Sequence, residues 1–100
     1  MGDFRILPEA ENDLDDIWHY LAVESASFDI ASNAIDSINE RIWLIAQRPQ
    51  IGRRRDHDLR NGLRSFASGQ FVILYRLIKD EVFIVRVVRG SREIERLLQE

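Results

Sequence analysis

Residues 63–90 read LRSFASGQFVILYRLIKDEVFIVRVVRG, and this stretch decides the fold because its apolar residues alternate as in β-strands. Short turns at Ser68-Gly69 and at residues 79–81 divide it, so three consecutive strands are expected to form an antiparallel meander. The predicted strands run from Leu63 to Ala67, from Gln70 to Ile78 and from Val82 to Arg89.

Before this stretch the apolar residues recur every three to four positions, which predicts two helices. Pro8 suits the first turn of the first helix, and Ser25 or Ser27 can cap the second, which Pro49 and Gly52 end. The predicted apolar stripes are Ala10, Leu14, Ile17, Trp18 and Leu21, then Phe28, Ala31, Ile35, Ile38, Ile42 and Ile45. The short gap between them implies an antiparallel helical hairpin.

The other segments complete one α+β domain over residues 1–100. Phe4-Arg5-Ile6 is a short strand candidate, and the charged stretch RRRDHDLRNG at 53–62 is predicted to be a loop. Gly90-Ser91 opens a last short helix, with Ser91 as a cap. The predicted order is therefore β-α-α-β-β-β-α, with an antiparallel C-terminal sheet packed on the helical hairpin.

Because side chains alternate across a strand, the hairpin can cover only one face of this sheet. If the odd-numbered residues from Phe71 to Leu77 face the helices, one register places Arg64, Arg76 and Arg86 together on the open face. Their expected apolar neighbours are Phe66, Val72, Leu74, Ile78, Val82, Ile84 and Val88. An apolar patch of this kind is usually covered by a partner, although the C-terminal helix or a second copy can also cover it.

Composition excludes several classes of function. The chain has no cysteine, hence no disulfide and no thiolate nucleophile, which fits the cytoplasm. Its first residues do not resemble a secretory signal, and its longest apolar run is too short to span a membrane. Residues 1–50 hold ten acids and three arginines, whereas residues 51–100 hold seven acids and eleven bases, ten of them arginine. This arginine content favours shaped recognition of carboxylates, phosphates or aromatic rings.

Other charged and aromatic residues give weaker signals. Residues 53–55, three arginines, can contact a nucleic acid or another protein, or can simply be solvated. Asp56-His57-Asp58 is a poor metal cluster because adjacent residues rarely converge on one ion. Arg89 and Arg92 can bind a target or neutralise acids of the last helix, and Trp18 and Trp43 can serve the core or a partner. No nucleotide loop and no Ser/His/Asp set is evident, so neither a cofactor nor a metal is expected.

Three segments resemble the ParE family of toxin–antitoxin toxins: ILPEAENDLDDIWHYLA at 6–22, RPQIGRRRDHDLRNGLRSFASGQFVILYRL at 48–77 and VFIVRVVRGSREIERLL at 82–98. The resemblance implies a RelE-like fold, a ParD-like antitoxin and growth arrest by trapping a complex of DNA gyrase, through its A subunit, with cleaved DNA. It also implies that the toxin is not an enzyme and reaches operator DNA only through the antitoxin.

The wider superfamily includes the RelE branch, whose members cut mRNA on the ribosome with basic residues and a C-terminal Tyr or His. Arg64 and Arg92 match two basic positions of that branch. However, Leu97 and Leu98 stand near the expected aromatic, and the chain is acidic overall, with net charge −3. Both departures favour the gyrase branch. Arg89 stands where ParE relatives often carry His. A third hypothesis is that the chain is a relative of these toxins that has lost potency but still binds a partner.

The candidate site residues follow from the open face and from the resemblance. The expected contacts with the target are Arg64, Arg76, Arg86, Arg89 and Arg92. The expected contacts with the antitoxin are Trp18, Trp43, Arg53, Arg54, Val72, Leu74 and Ile84.

Overall fold

The structure, a computed structural model, describes residues 3–56 and 62–90 together with Ile94 and Arg96. Two helices and five strands have defined bounds in the described part, and Gly90, Ile94 and Arg96 are also helical. The elements with defined bounds are β1 Phe4–Ile6, α1 Pro8–Ser25, α2 Phe28–Gln47, β2 Arg53–Arg54, β3 Leu63–Ser68, β4 Phe71–Ile78 and β5 Glu81–Arg89. The predicted helical hairpin, the first strand and the three-strand meander are confirmed. No helix among these residues is long and apolar enough to cross a membrane.

The five strands form one mixed sheet in the order β1-β5-β4-β3-β2. The C-terminal strands are antiparallel, as predicted, and β1 adds a parallel edge strand beside β5. The charged stretch at 53–62 is only partly a loop, because Arg53 and Arg54 pair with Ser65 and Arg64 as β2. A two-residue strand carries no alternation that the sequence could have revealed. Residues 57–61 of that stretch lie outside the described residues.

Local signals set both helix starts and the turn between the helices. Pro8 occupies the first turn of α1, where its missing N–H leaves no partner unpaired. The Ser27 hydroxyl accepts a hydrogen bond from the backbone N–H of Ile30 at 3.2 Å and so caps α2. Ala26 between them has φ of 55°, the left-handed conformation that reverses the chain. Ser27, and not Ser25, is therefore the cap of α2.

The main core lies between the hairpin and one face of the sheet. Its buried members are Ala10, Ile38, Ile42, Ile45, Phe71, Ile73, Tyr75, Val82, Ile84 and Val87. A second apolar cluster, on the other face, consists of Leu63, Leu74, Val88 and Ile94. Ile94 is helical and 6% exposed, so its side chain covers part of the face that was expected to be open.

Two strands lie in the opposite register to the prediction. Turns of two residues pair Ser68 with Phe71 and Ile78 with Glu81, so each turn joins an even-numbered residue to an odd-numbered one. Paired residues share a face, hence the even-numbered side chains of β3 and of the start of β5 lie toward the helices. The sequence predicted that odd-numbered residues of all three strands lie toward the helices and even-numbered ones on the open face. This is wrong for Arg64, Phe66, Val82 and Ile84, which lie toward the helices.

An irregularity in β5 returns the later side chains of this strand to their predicted faces. Tyr75 pairs with Ile84 but Leu74 pairs with Arg86, which leaves Val85 as an extra residue. Such a β-bulge inverts the alternation once. After it, Val87 returns to the main core and Val88 to the second cluster, as the sequence predicted.

Candidate functional site

Arg64 supports the loop that follows α2. It pairs with Tyr75 across the sheet and therefore lies toward the helices, not on the opposite face. Its Nη1 donates hydrogen bonds to the carbonyl oxygens of Gly52, at 2.9 Å, and Gln50, at 3.4 Å. Because these carbonyls hold the guanidinium in place, Arg64 is a structural anchor of the loop as well as a candidate contact.

Tyr75, which is completely buried, holds the same loop through its hydroxyl. The Tyr75 hydroxyl donates to the carbonyl oxygen of Pro49 at 2.7 Å and accepts from the backbone N–H of Gly52 at 2.8 Å. Burial raises the pKa of the Tyr75 hydroxyl, and the Gly52 hydrogen bond and the Arg64 charge oppose that shift. The end of α2, the loop and β4 thus form one rigid unit.

Raising the pH above about 10 is expected to reduce the free energy of unfolding through Tyr75. The folded protein holds the hydroxyl proton more tightly than the unfolded chain, whose tyrosines titrate near pH 10. The stabilisation by protonated Tyr75 is therefore complete below that pH and is lost as pH rises through the higher folded-state value. Urea unfolding from about pH 9 to about pH 11 measures this loss. A Tyr75→Phe variant that loses stability just as steeply would contradict it.

Arg86 is bound to α1 by a carboxylate. Its Nε and Nη2 donate to the two carboxylate oxygens of Asp13, at 2.7 and 3.1 Å, and the backbone N–H of Val87 donates to Asp13 Oδ2 at 2.9 Å. Glu9 adds a longer contact at 4.0 Å. The Asp13 side chain is only 14% exposed, so this bidentate pair is well shielded from water. The Arg86 guanidinium therefore lies beside α1, at the part of β5 that β1 does not cover.

The remaining candidate arginines on the sheet are separated from one another. The Arg89 guanidinium lies 4.5 Å from the ring centre of Tyr20, a cation–π contact beside α1. Arg76 pairs with Leu63 and Phe83 on the face away from the helices, is half-exposed and has no ion pair within the described ranges. Arg92 lies outside the described residues. The prediction of a single arginine face is wrong for Arg64, which lies toward the helices. Arg76 lies on the predicted face, and Arg86 pairs with Leu74 of that face, but its guanidinium is bound to Asp13.

The arginines of residues 53–55 serve the edge of the sheet. Arg54 pairs with Asp56 at 2.7 Å, and Asp56 also accepts a hydrogen bond from the backbone N–H of Gly62 at 2.7 Å. These two contacts, the Gly62 bond first, hold the pKa of Asp56 below its usual value. Arg55 donates to the Ser65 hydroxyl at 3.1 Å. Arg53 is exposed on β2 and remains accessible to a partner.

The apolar residues predicted to meet a partner differ in accessibility. Ile84 is fully buried against the helices and Leu74 is 1% exposed in the second cluster, so neither offers surface in this structure. Val72 is half-buried beside that cluster. Trp18 is half-buried on α1, whereas Trp43 on α2 is 59% exposed. The placement of Ile84 on the open face is corrected by the register described above.

The family follows from comparison with known proteins. A family model described as the ParE toxin of the type II toxin–antitoxin system parDE matches residues 4–94. The chain belongs to this ParE family. It is therefore a toxin of the ParE/RelE type from a type II toxin–antitoxin system, as the quoted segments indicated.

Curated relatives of this ParE-family chain carry both names of the superfamily. Toxin ParE1 of Caulobacter vibrioides is 35% identical over 91 residues, which are 91% of this chain and 92% of the relative. Toxin RelE3 of the same organism is 34% identical over 87 residues, 87% of this chain and 92% of the relative.

Solved structures confirm the fold of the ParE-family chain. A chain of the chromosomal ParDE system from P. aeruginosa matches with a TM-score of 0.78 and 24% identity, over 91% of this chain and 98% of that one. A chain of the RelBE2 toxin–antitoxin complex from Mycobacterium tuberculosis matches with a TM-score of 0.64 and 20% identity, over 88% and 96%. The predicted RelE-like α+β fold is confirmed.

The described part of this ParE-family toxin, residues 3–56 and 62–90 with Ile94 and Arg96, holds no cluster of three or more metal-binding side chains. Asp13, Gly52 and Tyr75 hold the candidate arginines and their loop in place, and the sequence did not predict these roles. In the sequence, Pro49 and Gly52 indicated only where the second helix ends. In the structure, their positions just after α2 place both of them against the Tyr75 hydroxyl.

Proposed function

We propose that the chain arrests growth by binding DNA gyrase, through its A subunit, and trapping the complex of gyrase with cleaved DNA, without catalysis of its own. In this proposal a ParD-like antitoxin neutralises the toxin and carries it to operator DNA. Membership of the ParE family supports the gyrase target, as does the 35% identity to a relative named ParE1.

One observation favours binding over RNA cleavage. A ribonuclease of the RelE type would use Arg64 and Arg86 to stabilise a phosphate, with Arg92 beside them. Here Arg86 is neutralised by Asp13 at 2.7 Å, and Arg64 donates to two backbone carbonyls. A guanidinium that already has a carboxylate partner contributes little to the stabilisation of developing phosphate charge. Arg86 is therefore assigned to positioning. Arg64 is assigned to anchoring the loop as well as to contact with the target, and Arg76 and Arg89 to contact with the target.

A ParD-like antitoxin has accessible groups on this chain. ParDE and RelBE2, the systems to which the matched structures belong, are toxin–antitoxin pairs. On this chain the exposed side chains of Arg53 and Trp43, with half-buried Trp18 and Val72, supply cationic and apolar contacts. Arg54 joins them if its pair with Asp56 opens. The proposed antitoxin is therefore expected to contact more than one face of the toxin.

The alternative is cleavage of mRNA on the ribosome, which the 34% identity to a relative named RelE3 favours. A supercoiling assay with purified toxin and gyrase, run beside a translation reaction with ribosomes and mRNA, separates the two targets. Under our proposal the toxin produces gyrase-dependent DNA breaks and leaves ribosome-bound mRNA intact. Cut mRNA at the ribosomal A site with intact DNA would establish the alternative.

Within that assay, Arg76→Glu is expected to weaken inhibition of gyrase at least about tenfold, because arginine side chains often dominate the energy of protein interfaces. Lys79→Glu is the matched control, since Lys79 is exposed in a turn and the change of charge is the same. Both variants are expected to melt at the temperature of the parent chain. Equal inhibition by the two variants would remove Arg76 from the contact with the target.

A further inference from the structure

A stripe of side chains on the outer side of the hairpin has no role in the core. Its members on α2 follow helical spacing and share one side of the helix: Phe28, Ser32, Asp36, Asn39 and Trp43. Phe28 is 72% exposed and Trp43 is 59% exposed, and neither belongs to either apolar cluster. Large aromatic side chains left outside the core at regular spacing indicate a contact surface.

Contacts with α1 extend this stripe across the seam between the helices. The Trp18 indole N–H donates to the Ser32 hydroxyl at 3.2 Å, and the rings of Trp18 and Phe28 stack with centres 5.4 Å apart. We call Trp18 and the five α2 residues together the hairpin stripe. A segment of about 16 helical residues spans roughly 24 Å, long enough to seat a helix of several turns.

The helices that carry the hairpin stripe are predominantly acidic. The two helices carry nine acidic residues and one basic residue, Arg41. Asp36, Asn39, Glu40 and Trp43 line one shallow cavity of about 420 Å³, so carboxylates stand directly beside an exposed indole. Aromatic rings and carboxylates both attract cations. Nucleic acids, anionic membranes and a second copy of this stripe would all be repelled by it.

We propose that the hairpin stripe binds a cationic amphipathic helix of a protein partner. The apolar side chains of that helix would lie against Phe28 and Trp43, and its lysine or arginine residues would pair with Asp36 and Glu40. This mode, a helix laid along a groove, needs apolar anchors at helical spacing, and the stripe provides the matching positions. The hairpin stripe shares Trp18 and Trp43 with the proposed antitoxin contact, so this inference rests on that part of the proposed function and adds the chemistry of the partner. It does not depend on Arg76 and Arg89 and holds for either target.

The chain carries its own reporter for this site, because its two tryptophans, Trp18 and Trp43, both belong to the hairpin stripe. The probes are a helical peptide of about 18 residues made of leucine and lysine, and one of the same pattern made of leucine and glutamate. The cationic peptide is expected to change the tryptophan emission saturably and to bind roughly tenfold or more tighter than the anionic one. Equal binding of both peptides, or of neither, would overturn the proposal.

Variants locate the site, measured by the anisotropy of the labelled cationic peptide. Asp36→Lys with Glu40→Lys is expected to weaken binding roughly tenfold or more, and Trp43→Ala to weaken it severalfold. The control is Asp3→Lys with Glu24→Lys, which makes the same change of charge at two exposed acids outside the stripe. All variants change exposed side chains, and unchanged melting curves verify their folding. If the control lost as much peptide binding as the stripe variants, the effect would be due to net charge alone and the proposed site would be contradicted.

Discussion

Replacing Gly52 by alanine is expected to lower the free energy of unfolding by about 2–4 kcal/mol. A Cβ atom at this position would press on the Tyr75 hydroxyl and lie 2.6 Å from its Cε1 atom. Tyr75 cannot move aside, because it is fully buried and its hydroxyl is held by Pro49 and by Gly52 itself. The variant must therefore displace the ring or the loop and weaken both hydrogen bonds. Urea unfolding followed by circular dichroism measures the change.

Gly69→Ala is the matched control for this prediction. A Cβ atom at Gly69 would meet nothing within 4 Å, although its φ of 59° is unfavourable for alanine. The control therefore isolates backbone strain, expected at about 1 kcal/mol. If Gly52→Ala were no more destabilising than Gly69→Ala, close packing against Tyr75 would not be the reason for glycine at position 52.

Removing the carboxylate of Asp13 is expected to destabilise the fold to a similar extent. Asp13→Ala leaves the Arg86 guanidinium without its partner and the Val87 N–H without an acceptor, at a cost of about 2–4 kcal/mol. The cost exceeds that of a surface pair because the carboxylate is 14% exposed and the arginine 29%. The variant should also lose toxicity at physiological temperature, through loss of folded protein.

Glu9→Ala is the control for Asp13. Glu9 is 79% exposed and lies 4.0 Å from Arg86, so its removal is expected to change stability by less than about 0.5 kcal/mol. Thermal melts of the two variants beside the parent chain give the comparison. An Asp13→Ala variant as stable as Glu9→Ala would show that Arg86 and Val87 are equally well satisfied by water.

The sequence was sufficient to predict the elements of the fold but not the faces of the sheet. Helices and strands depend on periodicity over many residues, and the alternation in residues 63–90 is strong. The face of each strand depends on the number of residues in the turn beside it. Lys79-Asp80 has two residues where three were expected, which changes the face of β5. The turn between β3 and β4 has two residues, as expected, and this already pairs even-numbered with odd-numbered residues, against the predicted face of β3. A change of one residue moves every side chain of the strand to the other face. The bulge at Val85 adds a second inversion with no local signal.

The candidate site was harder to predict, because its supporting contacts join residues far apart in the chain. Asp13 already had a sufficient local explanation, since acids favour the start of a helix. Nothing near it in the sequence points to Arg86, 73 residues away. Tyr75 was expected in the core, and its hydroxyl partners at Pro49 and Gly52 depend on where α2 ends in space. Such pairs become visible only when the elements are packed together.

The Asp13 carboxylate also affects how toxin molecules meet each other. β1 pairs only with the first part of β5, so without Asp13 the exposed edge of β5 would present an unpaired N–H donor at Val87. Exposed strand edges of this kind can template aggregation by pairing with other strands. The Asp13 carboxylate accepts a hydrogen bond from that donor. The strand at the opposite edge of the sheet, β2, is only two arginine residues long. The occupied donor and the shortness of β2 both disfavour edge-to-edge pairing between the sheets of two toxin copies.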